Sequence, residues 1–159
     1  MTAHWQDLEV QAPELARLGK KLLSANRVAF LATVRPDGGP RVHPICPAVL
    51  SGRLVAVLIR RTPKHRDLVR DPRYVLHAVP GRGDAEFWVE GTARPLDPAD
   101  EADRAVTDAL LRMGVDADDA RWELGIEAAH GTVFGTDAAG DRHADRRRWV
   151  PQLQAGGVA

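Results

Sequence analysis

The chain has 159 residues, a length that suits one domain around one core, and its 22 basic residues are balanced by 22 acidic ones. That neutrality argues against broad electrostatic attachment to nucleic acid or to an anionic membrane. A single cysteine, Cys46, excludes an internal disulfide and a cysteine-built zinc site; no apolar run is long enough to span a membrane and no signal-peptide pattern opens the chain, so the expectation is a cytoplasmic protein.

The first predicted element is a helix from about Pro13 to Ser24, with Leu15, Leu18 and Leu22 on one face. Val28 to Val34 is a continuous apolar strand, and Pro36-Asp37-Gly38-Gly39 is a turn that returns the chain into a second strand, Arg41 to Leu50. Pro40, Pro44 and Pro47 punctuate that second strand. Each lacks an N–H, so an edge, a bulge or a ligand-facing groove suits it better than a central position. Ser51-Gly52 turns into a third strand, Leu54 to Ile59.

The stretch Arg60 to Leu68 then carries the clearest chemical signal. Thr62 suits a helix N-cap and Pro63 the first helical position. A helix start offers free N–H groups and the positive end of the dipole, and Arg60, Arg61, Lys64 and Arg66 crowd this one. A phosphate-bearing ligand matches that arrangement; a capped surface helix with solvated charges is the plainer reading.

Arg73 to Val79 is a fourth strand, followed by the loop Gly81-Arg82-Gly83-Asp84. Ala85 to Arg94 alternates as a half-buried strand, with Phe87, Val89 and Ala93 on one side and Trp88, Glu90 and Arg94 on the other. Asp97-Pro98 is expected to open a second long helix with the stripe Ala102, Val106, Ala109, Leu110 and Met113, ending at Gly114. Asp116 to Asp119 reads as a solvated connection. Two further strands, Gly131 to Thr136 and His143 to Val150, are joined by a turn at 137–141, and Ala155 to Ala159 read as a frayed end. The whole is a single domain, core about 13–151, mainly β with peripheral helices: a small antiparallel β-barrel.

The order of these motifs resembles the pyridoxamine 5'-phosphate oxidase-like, FMN-binding split β-barrel family. The pieces that carry the resemblance are Thr33-Val34-Arg35-Pro36-Asp37-Gly38 with Pro40-Arg41-Val42-His43-Pro44, then Arg61-Thr62-Pro63-Lys64, Asp71-Pro72-Arg73-Tyr74-Val75, Val89-Glu90-Gly91-Thr92-Ala93 and Trp149-Val150-Pro151. The resemblance implies a homodimer with FMN in a groove between subunits and a small-molecule substrate. It implies that Arg41, Val42, His43, Pro44, Ile45 and Cys46 line the flavin ring and that Leu58 and Ile59 lie near the ring or ribityl chain. Thr62 and Lys64 would hold the phosphate, with Arg41 or Arg60 assisting, and Trp149 would stand near the groove. Three departures point away from oxidation of vitamin B6 phosphates. Cys46 stands where the oxidase has a lysine, Glu86 stands where it has a glutamine, and its C-terminal Arg-x-His pair is not recognisable.

The remaining candidates have plainer explanations. His43 could donate a hydrogen bond near the flavin or be a half-buried histidine with one satisfied nitrogen. Asp141, His143 and Asp145 share a strand face but read as a polar strand beside a turn, so no metal site is assigned. Arg146-Arg147-Arg148 is flanked by acids and reads as a solvated or dimer-facing run. The functional expectation is an FMN-dependent oxidoreductase of unassigned substrate, with no nucleic-acid or membrane partner. The alternatives are a reductase of the same fold using the F-420 deazaflavin and a non-catalytic flavin- or haem-binding protein.

Overall fold

A computed structural model describes residues 2–152. The expected frayed end, Ala155 to Ala159, lies outside the described residues.

The chain opens on a helix that the sequence does not announce, α1 (Trp5–Gln11). The His4 N–H donates to the Asp7 carboxylate at 2.8 Å, and Trp5 and Leu8 are fully buried. Pro13 then takes the first position of α2 (Pro13–Asn26), which runs two residues past the expected Ser24 and ends on Arg27 in the left-handed region, φ 55°. Leu15, Leu22 and Leu23 turn inward. A Cβ at Gly19 would lie 2.4 Å from the Phe87 ring, so α2 sits directly on the sheet.

Eight strands follow, all paired antiparallel: β1 (Ala29–Val34), β2 (Pro40–Ile45), β3 (Ala48–Leu50), β4 (Arg53–Leu58), β5 (Arg73–Ala78), β6 (Glu86–Pro95), β7 (Ala120–Thr136) and β8 (Arg142–Trp149). Their order is β2-β1-β5-β6-β7-β4-β3, with β8 on the far half of β7, and the sheet does not close. Instead β2 and β4 lie alongside one another without hydrogen-bonded pairing. The split barrel therefore has a seam. Inside it Leu31, Leu54, Leu58, Leu76, Phe87, Val89, Leu124 and Ile126 form one core. The proline argument for an edge holds: β2 is bonded on one side only, to β1.

Three expectations need correction. The single strand from Arg41 to Leu50 is two strands, broken at Cys46-Pro47, where Pro47 has no N–H to continue a ladder. The helix after β6, α4 (Glu101–Arg112), begins later than Asp97-Pro98: Asp100 is its N-cap, its side chain accepting from the Asp103 N–H at 2.8 Å. Asp97 instead caps a turn, accepting from the Ala99 N–H at 2.8 Å. Last, the strand expected from Gly131 begins at Ala120. A bulge opposite Glu90 and Gly91 leaves Glu127 without a partner in the ladder, so core residues run Trp122, Leu124, Ile126 and then Ala129. A Cβ at Gly91 would lie 2.0 Å from the Gly125 carbonyl oxygen, so this crossing admits only glycine.

Beneath α4 lies a buried ion network. Arg94 donates to Asp103 at 2.6 and 3.0 Å and to Glu123 at 2.5 Å. Arg53 bonds the same two carboxylates, at 3.0 Å to Glu123, and His4 Nδ1 lies 2.5 Å from the other Glu123 oxygen. Asp103 is fully buried, and the Arg94 guanidinium holds its carboxyl down at about 2. No helix among the described residues is long and apolar enough to cross a membrane.

Candidate cofactor groove

The seam opens into a groove of about 750 Å³. Pro44, Ile45 and Cys46 form one bank at the end of β2, and Val57 and Ile59 form the other at the end of β4. Lys64 comes from α3 (Pro63–Arg70), which follows β4 directly. Two helices that the sequence did not place at the site complete the walls: α2 through Leu23 and, just past its end, Arg27, and α4 through Leu110 and, just past its end, Met113. The charged residues in the wall are Lys20, Arg27 and Lys64, all cationic. Lys20 is offset by Glu9 at 3.1 Å, whereas neither Lys64 nor Arg27 has a salt-bridge partner among the described residues. An anion fits here; a cation does not.

The residues expected at the site divide into three groups. Pro44, Ile45, Cys46, Ile59 and Lys64 line the groove. Arg41 and His43 lie on the inward phase of β2 beside it. Arg41 Nε donates to Asp67 at 2.7 Å, which fixes its guanidinium. His43 is close enough to Lys64 and Arg41 for their charges to act on it. Burial first, then those two charges, lower its pKa and keep the ring neutral at neutral pH. Its Nε2 is buried with no partner among the described residues. The third group does not face the groove. Val42 points outward and is 60% exposed, Leu58 is a core side chain that could offer only its backbone, and the Arg60 Nε donates to the Asp118 carbonyl at 2.7 Å.

Thr62 is the N-cap residue of α3 by position but not by hydrogen bond. Its hydroxyl donates backward to the Ile59 carbonyl at 2.7 Å, so it is turned away from the helix N–H groups. Trp149 is a core residue whose Nε1 donates to Gln11 at 3.1 Å, and it is not in the groove wall. Glu86 begins β6 opposite Thr132, away from the groove lining.

Asp67 organises this end of α3, and only its place as the lone acid among four bases hinted at it. The side chain is buried. Burial alone would raise its pKa, but hydrogen bonds from Arg41 and Thr33, together with the Arg41 charge, outweigh it and hold the carboxyl ionised below its usual range. Thr33 donates at 2.9 Å and Arg70 at 3.3 Å. One carboxylate thus ties β1, β2 and α3 together and aligns the helix that carries Lys64. Among the described residues no three His, Cys, Asp or Glu side chains gather as a metal site.

These features suit a flat aromatic ligand that carries a phosphate, such as FMN. The walls are apolar, an uncompensated lysine sits in the first turn of a helix, and a neutral imidazole has a nitrogen to spare.

Comparison with known proteins agrees with this geometry. Residues 18–139 match the family model described as pyridoxamine 5'-phosphate oxidase. A search of curated proteins returns no match. Among solved structures, a pyridoxamine 5'-phosphate oxidase-related, FMN-binding protein from Nostoc punctiforme is 11% identical, over 86% of this chain and 95% of its own, with a TM-score of 0.61. A heme binding protein from Mycobacterium smegmatis is 19% identical over 82% of this chain, which spans 57% of that protein, with a TM-score of 0.60. HutZ, the heme storage protein from Vibrio cholerae, is 15% identical over 73% of this chain and 89% of its own, with a TM-score of 0.56. The fold, the seam and the family match agree: this chain belongs to the pyridoxamine 5'-phosphate oxidase-like family.

Proposed function

We propose that this protein is an FMN-dependent oxidoreductase that works as a homodimer on a small-molecule substrate, with the cofactor in the groove at the seam. The observation that carries the reading is the pairing of apolar walls with two uncompensated cations, Lys64 in the first turn of α3 and Arg27 just past the end of α2. When bound, FMN supplies the redox chemistry. The chain supplies the rest. Lys64 meets the phosphate, Pro44 to Cys46 and Ile59 exclude water from the ring, and the neutral His43 presents its free Nε2 to a polar edge of the ligand. A second copy closes the groove. Phe30 and Val42 support that step, since both are large, apolar and exposed (43% and 60%) on the outward phase of β1 and β2.

Titration of FMN into wild type and Lys64→Ala tests the reading. Loss of a charge-assisted hydrogen bond should weaken binding about ten- to a hundredfold. Riboflavin, which lacks the phosphate, should bind both proteins equally. Equal FMN affinity in the two proteins would overturn the phosphate assignment. Oxygen consumption with pyridoxamine or pyridoxine phosphate should stay well below about 1 per second, because the oxidase's C-terminal Arg-x-His pair is not recognisable and Cys46 in the groove wall departs from its pattern.

A haem-binding reading has one specific support: a neutral histidine with an unpartnered, buried Nε2 beside the groove is a ready iron ligand. Reconstitution separates the readings by colour. Haem gives an intense Soret band and FMN gives green fluorescence. F-420, which shares the phosphate chemistry, separates from FMN by direct competition.

A further inference from the structure

A second cavity, of about 630 Å³, shares no lining residue with the groove. Its apolar wall is built by Leu68 and Val69 of α3, Pro72, Ala93, Leu96 and Trp122. Its polar wall holds Arg60, His65, Arg94, Thr107 and Arg121, with no aspartate or glutamate.

Arg94 is neutralised by Asp103 and Glu123. The other two arginines are different. Arg121 Nη2 donates to the Asp116 and Ala117 carbonyls at 2.9 and 3.2 Å, and Arg60 Nε donates to the Asp118 carbonyl at 2.7 Å. A single turn thus positions both guanidiniums through neutral carbonyls. Neither arginine has a carboxylate partner among the described residues, so both positive charges remain uncancelled. Arg121 Nε is buried and has no partner among the described residues. A buried donor without an acceptor is costly, and a bound acceptor removes that cost.

His65 adds another donor. The Trp122 indole N–H points to His65 Nδ1 at 3.3 Å, which leaves the imidazole proton on Nε2. Burial and the neighbouring Arg60 lower the His65 pKa, so the ring is a neutral donor at neutral pH. The two rings meet edge to face, centroids 5.7 Å apart, and give the cavity an aromatic corner.

We infer that this cavity is a second ligand site and that it takes a small aromatic carboxylate. The acid group would be held by Arg121 and Arg60 and the ring would lie against Trp122 and Leu68. The planar guanidinium fork matches a carboxylate, and the mostly apolar lining favours a singly charged head over a phosphate dianion.

Calorimetric titration of the full-length protein with 2-naphthoate, 2-naphthamide and inorganic phosphate tests the inference. The acid should bind with a Kd on the order of 0.1 mM, the amide about tenfold more weakly, and phosphate not measurably. Arg121→Gln should weaken the acid about ten- to a hundredfold and leave the amide unchanged. Thr107→Trp, which fills the cavity from α4, should abolish both. In ¹⁵N spectra the Trp122 indole resonance should move on titration and vanish from the set in Trp122→Phe. If a variant fails to fold, the acid–amide difference and the Trp122 shift in wild type decide alone. Equal affinity for acid and amide, tight phosphate binding, an unmoved Trp122 resonance, or no binding of the acid at all would overturn the inference.

Discussion

Two charged regions of this molecule use similar residues to opposite ends. Under α4, Arg53 and Arg94 meet Asp103 and Glu123, and each charge is answered by an opposite one. At the seam, Lys64 and Arg27 face an open groove with no acid in its wall. The first arrangement joins β4, β6, β7 and α4 into one unit. The second leaves electrostatic work undone, which is the condition for binding something. Charge count along the chain cannot tell these regions apart; what separates them is whether the partner comes from the same chain. Asp67 stands between them, a buried carboxylate that belongs structurally to the first kind and holds the platform for the second.

Removing one partner from the matched region should have the largest effect. Asp103→Ala leaves two guanidiniums to share the single carboxylate of Glu123 and should cost roughly 3–5 kcal/mol, read as a lower midpoint in urea unfolding. Asp67→Ala should cost roughly 2–3 kcal/mol, and it should also weaken FMN binding, because Arg41 and the start of α3 lose their tie. An Asp67→Ala protein with lost stability and intact FMN affinity would separate the two roles that the structure joins. Acid gives a third probe. The folded Asp103 carboxyl sits at about 2 against an ordinary 3.8, so the unfolded chain takes up its proton first as pH falls. That contribution is complete above about pH 4 and fades toward pH 2, a loss of about 2 kcal/mol that Asp103→Asn should remove from the pH profile. The smallest effect belongs to Lys64→Ala, which should change stability by less than about 0.5 kcal/mol while FMN affinity falls. A large stability loss there would mean that the groove cation is structural after all.

Much of this was legible from residue order, for local reasons. The β1–β2 hairpin announces itself because an apolar run meets Pro36-Asp37-Gly38-Gly39, and α3 because proline and four bases follow an apolar strand. The misses come from contacts that sequence spacing does not carry. α1 is two turns long with Trp5, Leu8 and Val10 as its apolar residues, of which only the first two are buried, and His4 at its start is held by Glu123, far along the chain. The first half of β7 stayed hidden because the bulge at Glu127 switches its inward residues from even to odd numbers. The start of α4 lies at Asp100 and not at the expected Asp97 because Asp103 is buried, accepting from the Asp97 N–H while its own N–H donates to the Asp100 side chain. At the groove, the banks could be read from the strands beside the motif. Leu23, Arg27, Leu110 and Met113 could not, since they arrive there only when α2 and α4 dock.

The prolines of β2 have a consequence beyond shaping the seam. Pro40, Val42 and Pro44 share one phase of an edge strand, and two of the three have no N–H. At the other end of the strand order, β3 is only three residues long. Open sheets are exposed to runaway stacking, in which one molecule's border templates the next. Here the β2 border carries prolines, the β3 border is too brief to recruit a neighbour, and the free side of β8, which pairs β7 alone, is crowded with charge at Arg142, Asp145, Arg146, Arg147 and Arg148. Edges built this way oppose strand addition, the route by which one sheet extends into a fibre.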